Sequence, residues 1–147
     1  MRMRSAVILL VSVMFVLPLS AGEGDFLMIP HMGGTLAINM HHVESVFFMD
    51  KADRQRFHLV WKGNPQGKTV EGADAVTLFA AARESWGDDF VWVSHMEGSL
   101  GIARHAITNV FRMEKDGQAV TVRINYGNES KTVTGDDAGA VWKTLAR

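Results

Sequence analysis

The chain has 147 residues and no cysteine, is 47% hydrophobic and 21% charged, and carries a formal net charge of -1. That size and balance describe an ordinary globular chain with room for one domain or two very small ones. Acidic and basic residues cancel, and no basic run follows the first four residues, so the electrostatic footprint of a nucleic-acid binder is missing. Without cysteine there is neither a disulfide nor a lipid-modified N-terminal thiol, and packing alone must hold the fold.

Arg2 and Arg4 precede an apolar run from Ala6 to Leu17, followed by Pro18, Leu19, Ser20, Ala21 and Gly22. This charged, apolar, small-residue order is that of a secretory signal peptide over 1–21, with cleavage expected after Ala21 or Gly22. At about a dozen residues the run is shorter than the roughly 20 of a membrane span, so no stable membrane insertion is expected after cleavage. An uncleaved anchor is the competing reading, because Leu19 is a poor residue three places before the cut. The remaining chain, 22–147, is expected to be periplasmic or secreted.

That remainder repeats itself. FLMIPHMGGTLAINMHHVESVFFMDK, starting at Phe26, runs over FVWVSHMEGSLGIARHAITNVFRMEK, starting at Phe90. With one residue of slack, KTVEGADAVTLF from Lys68 runs over KTVTGDDAGAVW from Lys131. Roughly a third of the paired positions are identical, which marks an internal duplication with copies at 26–83 and 90–147.

Taken in order, each copy opens with an alternating strand that is apolar on both faces. Phe26, Met28, Pro30 and Met32 lie on one face, Leu27, Ile29 and then His31 on the other, a pattern that expects cover on both sides. Gly33-Gly34, or Glu97-Gly98 in the second copy, supplies a hairpin turn. Leu36 and Ile38, or Leu100 and Ile102, face the core on the return strand. An irregular segment follows, His41 to Ser45 or His105 to Asn109, in which Val43 or Ile107 plugs the end of the sheet. A third strand covers Val46 to Asp50, or Val110 to Glu114, and leads through a polar turn, with Asp116-Gly117 in the second copy.

The fourth strand alternates cleanly, with Phe57, Leu59 and Trp61 inward, matched by Val120, Val122 and Ile124. A fifth, brief strand covers Lys68 to Val70, or Lys131 to Val133. A helix closes each copy, its apolar stripe formed by Ala75, Leu78, Phe79 and Ala82, or by Ala138, Val141, Trp142 and Leu145. Thr134 and Asp137 have the spacing of a capping box, and Glu84 to Asp89 reads as a short polar linker.

A copy of this size is near the lower limit for a self-sufficient core. The expected fold is therefore α+β and strand-rich: a tandem duplication of a β(4-5)α unit, packed as one pseudo-twofold domain and not as two independent beads.

The order of Gly34, Ile38, Asn39, Val43 and Val46, followed by a hydrophobic strand, a Gly turn, a K-x-V strand and an acidic-started helix, resembles the small flagellar FlbD family. The likeness covers each copy once and rests on turn and core positions; the second copy departs from it by placing Ala103 where Asn39 sits. What the resemblance implies is a compact strand-rich unit, and it brings no functional residues with it.

Polar or soft residues kept alike in both copies are the candidates for chemistry. His31-Met32 matches His95-Met96, and His41 matches His105. Imidazole and thioether ligands together suit copper, particularly Cu(I). Within one copy His31 and His41 stand at opposite ends of a strand about five residues long, at roughly 3.3 Å per residue. A site must then pair His31 with His105 and His95 with His41 across the two copies, or form locally around Met40, His41 and His42. The plain alternative is that each His ties down turn backbone and each Met fills a gap, with no cofactor.

Catalytic signatures are thin, since neither a nucleophile elbow, a His-Glu-x-x-His helix nor a phosphate loop occurs. Ser94, His95 and Asp88 are residues from which a hydrolase triad would have to assemble. Trp86, after the first helix, and Trp92, on the doubly apolar strand, are candidates for the seam between copies, and for a ligand or partner surface if exposed.

The reading is an exported non-enzymatic module that binds a protein partner or small ligand through the groove between copies or along a strand edge. A periplasmic copper-binding protein is the second reading, and a small hydrolase the third.

Overall fold

The computed structural model describes residues 25–147, so the expected signal segment over 1–21 and its expected cleavage site lie outside the described residues. One order of elements occurs twice. β1 (Phe26–His31), β2 (Gly34–Asn39), a 3-10 turn (Met40–His42), β3 (Val43–Lys51), β4 (Arg54–Trp61), β5 (Asn64–Glu71) and α1 (Ala73–Trp86) come first. They are followed by β6 (Phe90–His95), β7 (Gly98–Ala103), a 3-10 turn (Arg104–Ala106), β8 (Ile107–Met113), β9 (Thr121–Tyr126), β10 (Glu129–Thr134) and α2 (Asp136–Leu145). The class is α+β and strand-rich, and the strand pairings are antiparallel.

The strands form three sheets, ordered β1-β2, β10-β9-β8 and β5-β4-β3-β7-β6. The largest is continuous because β7 lies antiparallel to β3, pairing Ser45 with Ile102, Phe47 with Leu100 and Met49 with Gly98. Just before β7 begins, the Glu97 carbonyl accepts from Asp50 N–H at 3.2 Å, and Glu97 Oε2 lies 2.6 Å from Lys51 Nζ. A twofold relation between the halves would pair β2 with β8 in the same way. Among the described residues β2 has β1 as its strand neighbour and β8 has β9, so sheet pairing joins the halves in one direction only.

Alternation in β6 explains how one hairpin serves two cores. Phe90 points into a core made with Val43, Val46, Phe57, Leu59 and the α1 stripe of Ala75, Leu78, Ala82 and Trp86. Val91 and Val93, with Leu100 and Ile102 of β7, point the other way into a core with Val122, Ile124, Val133, Ala138 and Val141. The expectation of cover on both faces therefore holds for β6. It fails for β1, where Leu27 and Ile29 are buried but Phe26 and Met28 on the opposite face are exposed.

Helix α1 continues through Trp86, overturning the expected linker from Glu84. Trp86 lies four residues beyond Ala82 and so prolongs the same stripe, and its burial holds the last turn in helix. The capping box at Thr134 is not formed: Thr134 ends β10, and the N-cap of α2 is Gly135, with φ 70° and no side-chain cap bond. The first hairpin turn also shifts. His31 pairs with Gly34, so the two-residue loop is Met32-Gly33, with φ of 49° and 76°, the signature of a type I′ turn. Met96 takes a matching φ of 52° in the second hairpin.

Candidate functional site

The two tryptophans are placed at the seam. Trp86 is buried and its ring stacks on Phe90 with centroids 5.2 Å apart. Trp92 is half-buried, edge-on to Phe79 at 5.8 Å, and the Arg83 guanidinium sits 4.5 Å from its ring centroid. Trp86 therefore offers no accessible face to a ligand, and the visible part of Trp92 lies beneath Arg83. Gly101 is what admits the Trp92 ring: a Cβ there would fall at 2.5 Å from it.

The repeated His and Met residues are separated. Met32 and Met96 stand at the hairpin tips, 93% and 80% exposed. His95 Nδ1 is 2.8 Å from Lys131 Nζ, and its ring meets Phe47 edge-on at 5.3 Å. Burial, with the Lys131 charge adding to it, holds the His95 imidazole below its ordinary pKa. His31 Nδ1, in the equivalent place on β1, is buried without a hydrogen-bond partner among the described residues.

His41 Nε2 lies 3.2 Å from Asp25 Oδ1, and the His41 backbone N–H donates to Asn39 Oδ1 at 2.9 Å. His41 and His105 come together, contrary to the expected pairing of each with a hairpin-tip histidine. They line a small cavity of about 210 Å³ with Met40, Asp89, Phe90 and Arg104. The reason is that both 3-10 turns sit at the open end of their hairpins, while His31 and His95 sit at the closed ends. Among the described residues no group of three or more His, Asp or Glu side chains converges as a metal site.

A Ser94, His95 and Asp88 triad does not assemble. Asp88 precedes β6 and His95 ends it, roughly 20 Å apart by the rise of a strand. The Asp88 carbonyl instead accepts a hydrogen bond from Arg104 Nε at 2.8 Å, while Arg104 Nη2 donates to the Thr144 carbonyl at 3.1 Å.

What residue-type reasoning missed is the surface left by one-directional pairing. Among the described residues β2 and β8 each keep one unpaired edge. Beside β2 the outer face of β1 exposes Phe26 and Met28; on β8, Phe111 is 60% exposed and Met113 is also exposed. Behind β8 a cavity of about 340 Å³ opens between strand and helix, lined by Arg104, Ile107, Val110, Trp142, Leu145 and Ala146. The Arg112 guanidinium sits 5.7 Å from the Trp142 ring centroid, and its Nη2 is 3.0 Å from Glu114.

Sheets ordinarily guard such edges with proline, lysine or bulges. β5 does so with Pro65 and Lys68 and a register shift against β4 between Leu59 and Trp61. β2, with the sequence GTLAIN, has neither proline nor lysine. The signal for this surface was present in the sequence as the doubly apolar first strand.

Comparison with protein families, with curated proteins and with solved structures finds no match for the chain.

Proposed function

We propose that the chain is an exported, non-enzymatic binding module built from two copies of one strand-rich unit, and that it takes a protein partner by strand addition along β2 or β8. The copies at 26–83 and 90–147 supply the same run of elements, and the leader supplies the address. The observation that carries the reading is two edges left unpaired among the described residues, each flanked by exposed apolar side chains: Phe26 and Met28 beside β2, Phe111 and Met113 on β8. An added strand satisfies the outward backbone groups of the edge, while alternate side chains enter the apolar positions beside it.

Panning the full chain against a displayed library of extended peptides tests this. Because His31 and Gly34 close the two-residue turn, the N–H groups of Gly34, Leu36 and Ile38 face β1 and those of Thr35 and Ala37 face outward. Selected peptides are expected to protect β2 or β8 amides from hydrogen exchange. Peptides on β2 should lose affinity at Ala37→Pro, which deletes an outward donor. An empty selection, or binders that protect other segments and ignore the edges, would sink the reading.

A further inference from the structure

The partner can be named from the chain's own internal joint. In the large sheet, hairpin β6–β7 docks on the first half in two ways at once: β7 pairs with β3, and Phe90 and Trp92 cover Val43, Val46, Phe79 and Trp86. Resting on the reading that the halves are copies of one unit, each part of this joint has a counterpart that is left open. Hairpin β1–β2 matches the docking hairpin, with Phe26 and Met28 in the places of Phe90 and Trp92. The receiving surface is matched by β8, with Ile107 and Val110 in the places of Val43 and Val46, and by α2, with Trp142 in the place of Phe79.

Burial follows the same division. Phe90 is 2% exposed where it is docked, and Phe26 is 49% exposed where it is not. Phe47 packs against the second core and the His95 ring, whereas its counterpart Phe111 is bare. The cavity of about 340 Å³ behind β8 is lined by Ile107, Val110 and Trp142, the counterparts of residues that Phe90 and Trp92 cover in the first half.

A glycine gives an independent observation. A Cβ on Gly98 would fall inside the van der Waals shell of the Phe48 carbonyl, so close approach of β7 to β3 requires glycine there. Its counterpart Gly34 has no such neighbour: a Cβ there would meet only the His31 carbonyl oxygen, at 3.6 Å. Neither residue has the positive φ that would call for glycine on its own account. Gly34 is thus suited to an approach that the isolated chain does not make.

The geometry points to head-to-tail association of this chain with a second copy of itself. Hairpin β1–β2 of one molecule adds to β8 of the next, with β2 antiparallel to β8, and Phe26 and Met28 enter the cavity beside Trp142. Transferring the β7–β3 register pairs Ile38 with Asn109, Leu36 with Phe111 and Gly34 with Met113. The contact is heterologous, so every molecule has one donor and one acceptor end, and the assembly grows as a filament or closes as a ring.

The test is sedimentation of the full chain, expressed with its N-terminal segment, over a wide concentration range. Species larger than a monomer are expected to grow with concentration. Gly34→Ala disables the donor end and Phe111→Asp the acceptor end. Each is expected to weaken association at least about tenfold while leaving the circular dichroism of the monomer unchanged. Phe111→Thr replaces the aspartate variant if that variant does not fold.

Mixing the two variants is the decisive arm. One intact acceptor and one intact donor remain, so the mixture should form a one-to-one dimer and nothing larger, as a heterologous joint requires. A native chain that stays monomeric throughout, assemblies that survive both substitutions, or a mixture that fails to pair overturns the inference. Peptide capture on the edges of a strictly monomeric chain would overturn self-association alone and leave the strand-addition reading standing.

Discussion

Hairpins β1–β2 and β6–β7 share a pattern of apolar alternation, a Met at positive φ in the turn and a glycine after it, yet they live in different surroundings. The second is packed on both faces and paired on an edge with β3; among the described residues the first is packed on one face, and its β2 edge has no strand against it. The difference teaches that a residue pattern specifies what a strand can bury, while chain order decides whether a surface is available to bury it. β6–β7 follows a unit that offers β3 and α1. For β1–β2 the matching face, with Phe26 and Met28, meets no such surface among the described residues.

Truncating the aromatic at the first position of each hairpin should separate the two most. Phe90→Ala is expected to cost about 3–5 kcal/mol, as for a fully packed core aromatic. Phe26→Ala should cost less than about 1 kcal/mol, because its ring already meets solvent. Urea denaturation at low protein concentration reads both values, and equal losses would break the comparison.

A smaller contrast is expected at the glycines. Gly98→Ala should destabilise by about 1–3 kcal/mol through overpacking against β3. Gly34→Ala should be within about 0.5 kcal/mol of the native chain, the range of a surface change.

The smallest effect is electrostatic. Burial lowers the imidazole pKa of His58, which bonds Thr69 Oγ1 at 2.8 Å, and burial together with Lys131 lowers that of His95. The folded state then binds fewer protons than the unfolded state just below the ordinary imidazole value of about 6.5. Stability should be full above that pH, fall as the pH drops from it toward the lowered folded values, and level off beneath them. His58→Gln and His95→Gln should each flatten part of that slope in denaturation curves taken from pH 7.5 to 5. An unchanged slope in both variants would show that other groups carry it.

Much of the fold was legible because the core is regular. Phe57, Leu59, Val122 and Ile124 alternate as strands should, and Ala75, Leu78 and Ala82 fall on one helical stripe; all of them are buried. Trp86 sits in the polar stretch from Glu84 to Asp89 that reads as linker, although its own spacing from Ala82 continues the stripe.

Glycine is the usual residue at positive φ, which points to Gly33-Gly34 as the turn, but Met32 takes that conformation together with Gly33 and Gly34 joins the strand. The site was less legible. Pairing of His31 with His105 assumed twofold packing of the halves, and sheet order between halves is a long-range choice that periodicity within a strand does not encode. The exposed face of Phe26 and Met28 was written in the sequence as a demand for cover, but which surface meets it is a matter of topology.

Met32 and Met96 hold one further consequence, in redox chemistry. Their thioethers stand at hairpin tips with the core behind them, so peroxide reaches them ahead of half-buried Met40 and Met49. A sulfoxide at either tip adds a polar oxygen to a side chain that is already in water. The hairpins should therefore absorb their first oxidation with no change in melting temperature, giving the chain two sacrificial positions in a molecule that has no cysteine to oxidise.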